Sequence, residues 1–278
     1  MLGVILTGIA TLFGEIGDLI GKAEARKGHE NSLTLGFYNN FWGGVIFLAI
    51  ILFRGEFVFS LASLPTFGLR AVLEVLQAHL TAKAIIVADR STFGFFRVFT
   101  LPLILLADVF LGYTLSLQQV IGIAVIILTL IFIFFGEKIG KAGRGLILLT
   151  AVNAVITISL FKYNITNFNS VEAEQFLISM ILIGYFWVTG LYFVKQNALL
   201  LLFSNPRFLG QSLAHGFGGV LESFAYIFAP ASIILAVKRS SATGWSAISG
   251  RLFFSEKHFL FKVGILILLI VGIILLAV

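Results

Sequence analysis

Glu15, Asp18 and Lys22 fall at intervals of three and four within an otherwise apolar stretch, so a helix there sets all three on one face. Two carboxylates in a partly dry cavity repel each other, and one of them readily holds a proton. That is the property of a proton-coupled or cation-binding site. A plainer reading pairs Asp18 with Lys22 near an interface, leaves Glu15 hydrogen-bonded locally and lets the long lysine reach outward to water. A second group follows: Arg70 and Glu74 are four apart, as are His79 and Lys83. Glu222 has no basic residue at that spacing, with Gly218 before it and Tyr226 after it. Its partner must come from another helix, from water or from a proton, which makes Glu222 the first residue to test. His215, seven residues earlier, falls on the same helical face.

Neutral residues add a possible lining. Asn39, Asn40 and Trp42, with Tyr185 and Trp187, suit a cavity that stacks or hydrogen-bonds a polar ligand, and they suit equally an aromatic belt with interhelical polar contacts. Gly14, Gly17 and Gly21 form a stripe for close helix packing. Nothing resembles a catalytic constellation. There is no cysteine and no His-Glu-x-x-His, the four histidines are scattered, and no nucleotide-binding fingerprint occurs. The expectation is a non-enzyme without metal or cofactor, not driven by ATP through this chain alone.

These groups need elements to hold them, and the composition decides which. With 59% apolar residues, 12% charged residues and a mean hydropathy of +1.06, the chain is predicted to be an all-α integral membrane protein. The apolar runs are continuous and do not alternate, which favours a helical bundle over a barrel. Ten of them approach the roughly 20 residues needed to cross a bilayer: Met1 to Gly21, Leu33 to Phe53, Phe67 to Ala88, Phe93 to Leu111, Gln118 to Phe135, Gly145 to Lys162, Glu174 to Val194, Leu209 to Val237, Ser240 to Ser255 and Phe259 to Val278. The first lacks a basic leader and a cleavage site and is expected to be retained. The ninth, about 16 residues or ~24 Å long, is expected to be short. A pI near 9.7 points to loop Lys and Arg meeting anionic lipid headgroups, not nucleic acid.

The runs are organised by an echo. Val72-Leu73-Glu74 returns 148 residues later as Val220-Leu221-Glu222, and at the same interval Ile85-Ile86-Val87-Ala88 returns as Ile233-Ile234-Leu235-Ala236. Each copy then meets a basic, Ser-containing segment ending in Gly94 or Gly244, predicted as a turn. Phe41-Trp42 against Phe186-Trp187 and Ile121-Gly122-Ile123 against Val263-Gly264-Ile265 are weaker echoes in the same order. The predicted plan is two five-helix repeats, 1–137 and 145–278, joined by 138–144. An odd number of crossings inverts the second copy, as in many secondary transporters.

In the ten spans, the third-to-fourth segment Arg90 to Gly94, Pro102 within the fourth span, the first span ending in Lys22, and Phe254-Ser255-Glu256 before a glycine-spaced last helix, the chain resembles the EamA-type members of the drug/metabolite transporter superfamily. The resemblance implies movement of a small polar metabolite across the cell membrane, often export, through a cavity between the halves, and termini inside the cell. It departs from the family where Leu111-Gly112 runs into Tyr113 instead of an acid, so that only Glu256 keeps that position, and in the short ninth span. Loop Lys and Arg are more numerous in the odd-numbered connections, which by the positive-inside rule places both termini outside. The expected partners are a small-molecule substrate and membrane lipid. A channel or a structural membrane protein without coupled transport is the competing class.

Overall fold

The computed structural model describes residues 2–110, 116–135, 140–229 and 231–277. Among them all regular structure is helical, with no strand. The α-helices are α1 (Leu2–Arg26), α2 (Ser32–Arg54), α3 (Leu64–Val87), α4 (Arg90–Arg97), α5 (Thr100–Phe110), α6 (Leu117–Phe135), α7 (Arg144–Asn167), α8 (Val171–Thr189), α9 (Ala198–Ser204), α10 (Pro206–Phe228), α11 (Ala231–Phe254) and α12 (Phe259–Ala277). A π-helical turn, Gly190–Val194, extends α8. Four segments, Leu2–Arg26, Ser32–Arg54, Arg144–Asn167 and Val171–Val194, are long and apolar enough to cross a membrane, as expected of a membrane protein. The outer surface agrees: Phe53 is 94% exposed and Leu260 85%, while Arg90 and Glu174 are fully buried. In water that polarity would be reversed.

Local sequence sets the ends of several helices. Asn31 opens α2 with a capping box, its side chain accepting from Leu33 and Thr34 N–H while Thr34 Oγ1 accepts from the Asn31 N–H. Gly55 closes the same helix in the left-handed conformation at φ +67°. Asn205 caps α10, whose first residue is Pro206.

Three boundaries differ from the sequence expectation. The fourth run is two helices, α4 and α5, parted at Val98 and Phe99. Pro102 is the cause: it has no N–H, and its ring displaces the carbonyl of Val98, which accepts from Leu101 N–H instead at 2.9 Å. The ninth helix is not short. It starts at Ala231, so α11 has 24 residues, about 36 Å at 1.5 Å each. The run expected to continue from Leu209 to Val237 ends at Phe228. Consequently the 148-residue echo does not mark matching places: Ile85 to Val87 close α3, whereas Ile233 to Ala236 belong to the start of α11. Neither basic segment is a turn, since Arg90–Gly94 opens α4 and Lys238–Gly244 lies within α11. Leu111, Gly112, Tyr113, Pro230 and residues 136–139, which include the first two residues of the expected 138–144 join, lie outside the described residues.

A different interval runs through the helix starts. Leu64 and Pro206, and Leu117 and Phe259, each open helices 142 residues apart. In packing, α1 lies along α10, α3 along α7, α2 against α8 and α10, α4 against α11, and α6 along α12. Glycines permit the closest of these approaches. A Cβ on Gly218 would lie 2.8 Å from the carbonyl oxygen of Ala10, and one on Gly216 would lie 2.9 Å from the backbone nitrogen of Gly43.

Polar contacts gather the connections at two ends. At one end Asn31 Nδ2 donates to Gln196 Oε1 at 3.1 Å, Arg207 pairs with Glu24 at 3.0 Å, and Glu256 accepts from the N–H of Arg90 at 2.6 Å and the hydroxyl of Ser91 at 2.5 Å. Lys22 belongs there too. It does not reach outward to water; it is 2% exposed and its ammonium donates to the carbonyls of Ile85, at 3.0 Å, and of Ala88 where α3 ends. At the other end Arg54 pairs with Glu172 at 3.0 Å, Ser60 N–H donates to Asn169 Oδ1 at 2.9 Å, and Lys162 Nζ donates to the Tyr226 carbonyl at 2.7 Å.

Candidate functional site

The interior carries two cavities of about 320 and 240 Å³ with charged side chains in their walls. They share a wall: Asn39, Thr81, Arg97, Gly219, Glu222, Lys238 and Arg239 border both. The larger extends toward Arg70, Glu74, Gln77 and Gln175, and the smaller toward Glu15, Asp18 and His215. Side chains from α1, α2, α3, α4, α7, α8, α10 and α11 contribute.

Three ion-pair clusters surround this space, each spanning separate helices. In the first, Arg90 on α4 reaches two carboxylates of α1, Glu15 and Asp18, the latter at 3.1 Å. His215 Nε2 on α10 stands 3.3 Å from the other oxygen of Asp18. In the second, Arg70 on α3 pairs with Glu174 on α8 at 2.9 Å and with Glu74 at 3.4 Å, and donates to Gln175 at 3.1 Å. Asn164 and Asn169 donate to Glu174 as well, so this fully buried carboxylate is held by three side chains. In the third, Lys238 Nζ on α11 lies 2.5 and 2.6 Å from the two oxygens of Glu222 on α10. Ions in a low-dielectric interior persist only when paired or hydrated, and these clusters provide the pairing.

The spacing argument located the acids and misjudged several partners. Glu222 does take its cation from another helix. Asp18 pairs with Arg90 and His215, not with Lys22, because Lys22 is directed to the end of α3. Arg70 does meet Glu74, but its shorter contact is to Glu174. Of the neutral candidates, Asn39 borders both cavities with a buried Oδ1 that has no hydrogen-bond partner among the described residues, and Asn40 borders the larger while donating to the Gly36 carbonyl at 2.8 Å. The three aromatic candidates are not in the lining of either cavity. Trp42 packs edge-on to Phe41, Tyr185 meets His79 Nδ1 at 3.0 Å, and Trp187 is 40% exposed on the outer surface. Among the described residues no group of three His, Cys, Asp or Glu side chains is placed to hold a metal.

Arg97, Lys238, Arg239, Glu174 and Gln175 were missed. The sequence pattern puts Lys238 and Arg239 in a turn, although a basic pair between apolar residues is also what an interior helix with a polar face looks like. Arg97 lay inside an apolar run, where an arginine is a signal in itself. Glu174 and Gln175 sit at the start of a run and read as interfacial.

Compared with known proteins, the chain matches no family model and no curated protein.

Proposed function

We propose that this chain is a secondary transporter, a multi-pass protein of the cell membrane that moves a small polar metabolite by alternating access. The observation that carries the reading is the pair of adjoining charged cavities, walled by helices from both halves of the chain inside an apolar exterior. The 142-residue interval supports reading those halves as two five-helix units: α1, α2, α3, α4 with α5, and α6, followed by α7, α8, α10, α11 and α12. The placing of connections supports inversion. The α1–α2 connection and its counterpart between α7 and α8 lie at opposite ends, as do the α3–α4 connection and the end of α10. Such a pair of halves can rock about a shared site, opening it to one side and then the other. The EamA-type resemblance describes the same architecture and belongs to this proposal.

Coupling to protons is part of the reading. Glu15 and Asp18 share the single guanidinium of Arg90, so one proton can be taken up by the pair while an ion pair survives. Arg97, His215, Glu222, Lys238 and Arg239 face the same cavity from α4, α10 and α11, so a charge change there is felt by all of them.

The test is substrate flux into proteoliposomes with and without a pH gradient. We expect saturable flux that grows with the gradient, and at least about a tenfold loss in Glu222→Gln with folding intact, since Lys238 would lose its charged partner beside the site. Unsaturable, uncoupled ionic current would identify a channel instead.

A further inference from the structure

We infer that the two adjoining cavities take, at the wall they share, a small oxyanion, a phosphate or carboxylate group of a metabolite, held between Arg97 and Arg239. The inference rests on the transporter reading only in treating the cavity as a ligand site, and it goes further by naming the charge and chemistry of the ligand.

Both arginines border both cavities. Arg97 ends α4 at the break imposed by Pro102. Its guanidinium lies over the Phe93 ring at 5.0 Å, and among the described residues no carboxylate is within ion-pair distance. Arg239 is 2% exposed, and its Nε donates to Thr100 Oγ1 at 2.9 Å. It too has no carboxylate partner among the described residues. The nearby acids are already engaged: Glu15 and Asp18 by Arg90, Glu74 and Glu174 by Arg70, and Glu222, through both oxygens, by Lys238.

Two interior guanidiniums without counter-ions are costly, and pairing within the protein does not explain them. A guanidinium cannot lose its proton under ordinary conditions, and it donates without accepting. The complementary ligand is therefore an acceptor, and the fork of N–H groups matches the spacing of two oxygens on a phosphate or carboxylate. Arg97 and Arg239 are also 142 residues apart, the interval of the helix starts. Each half of the chain contributes one arginine, at the end of α4 and within α11, to the wall that the two cavities share, so an anion between them would touch both halves at once.

The experiment measures binding on the purified full chain in detergent at constant ionic strength, by calorimetry and by thermal shift. The probes are inorganic phosphate, succinate, putrescine as a diamine, and mannitol as a neutral polyol. We expect saturable binding of phosphate or succinate, with the preferred one reporting whether the group recognised is a phosphate or a carboxylate, and no saturable binding of putrescine or mannitol. Arg97→Gln and Arg239→Gln should each weaken the oxyanion by about tenfold or more, the loss expected of a charge-assisted contact. Arg97→Lys and Arg239→Lys should recover part of it while retaining the fold. Binding of neither oxyanion, or oxyanion binding unchanged in a folded Arg97→Gln/Arg239→Gln variant, overturns the proposal. The two readings fail separately. Oxyanion binding without flux in proteoliposomes removes transport and keeps the anion site; saturable flux of a neutral or cationic solute, indifferent to both arginines, removes the anion site and keeps transport.

Discussion

Glu30 and Glu256 lie in connections at the same end of the molecule and respond to burial in opposite ways. Glu30 is buried, and burial, with Glu24 nearby, pushes its carboxyl up from 4.5 to about 8, although Gln211 Nε2 donates to one oxygen at 3.0 Å. Burial would likewise raise Glu256, yet the contacts from Lys262, Ser91 and the Arg90 backbone N–H hold it below its ordinary value of 4.5. The consequences for stability have opposite signs. Between about pH 4.5 and 8 the folded chain keeps a proton on Glu30 that the unfolded chain has released, so stability falls as pH rises through that window. Glu256 stabilises above the ordinary carboxylate range, and its contribution is lost as pH falls through its folded value. The wild-type melting temperature should therefore drop from pH 5 to pH 8 by on the order of 10 °C more than that of Glu30→Gln, taking ~2–4 °C for each kcal/mol. Parallel melting curves for the two proteins over that range would show that Glu30 is ionised in the fold. None of this was legible in the sequence, where Glu30 reads as a loop acid beside His29 and Asn31. Its hydrogen-bond donor, Gln211, is 181 residues away, and no local spacing announces that. By contrast Glu15, Asp18 and Glu222 were legible, because a charge in an apolar run is conspicuous wherever its partner turns out to be.

At the scale of the element, hydropathy found the helices and sterics decided where they break. The ten apolar runs each contain helix, since burying a backbone in lipid or apolar core leaves few alternatives. What hydropathy does not register is a single proline. Pro102 stands in the sequence as part of a family likeness, and its position four residues after Val98 is enough to predict the interruption between α4 and α5. That interruption presents Arg97 at a helix end and frees Thr100 to accept from Arg239 while donating to the Arg97 carbonyl at 2.8 Å. Pro102→Ala should restore the missing backbone bond and join the two helices, relieving up to ~3 kcal/mol of interior-proline cost. The expected outcome is a protein at least as resistant to thermal unfolding as the wild type, with oxyanion binding weakened by about tenfold or more as Arg97 is drawn out of line with Arg239. Equal binding in a stabilised variant would mean that the break does not position the arginine.

For the molecule as a whole, the sequence echo and the helix starts give different intervals. The 148-residue echo equates Glu74 with Glu222, but Glu74 lies 10 residues after the start of α3 at Leu64, and Glu222 lies 16 after the start of α10 at Pro206. The helix starts give 142, which instead equates Arg97 with Arg239. Short identical strings in apolar sequence recur by chance more easily than helix boundaries do, because few residue types are in use, and so the echo does not fix the register of the helices. The bias of loop Lys and Arg is likewise altered by packing. Lys22 and Arg90 are buried in interhelical contacts, and Lys238 and Arg239 lie within α11, so none of the four meets lipid headgroups as the positive-inside argument requires. Orientation is therefore best read by labelling, and the chain suits it because it has no native cysteine to react. Lys27 follows α1 and Asn167 ends α7; both are exposed, and they occupy counterpart places in the two proposed units. Inversion requires that Lys27→Cys and Asn167→Cys, each introduced singly, react with a membrane-impermeant maleimide from opposite faces of sealed vesicles. If both label from the same face, the halves run parallel, and a cavity shared between them can no longer be opened alternately by rocking one against the other.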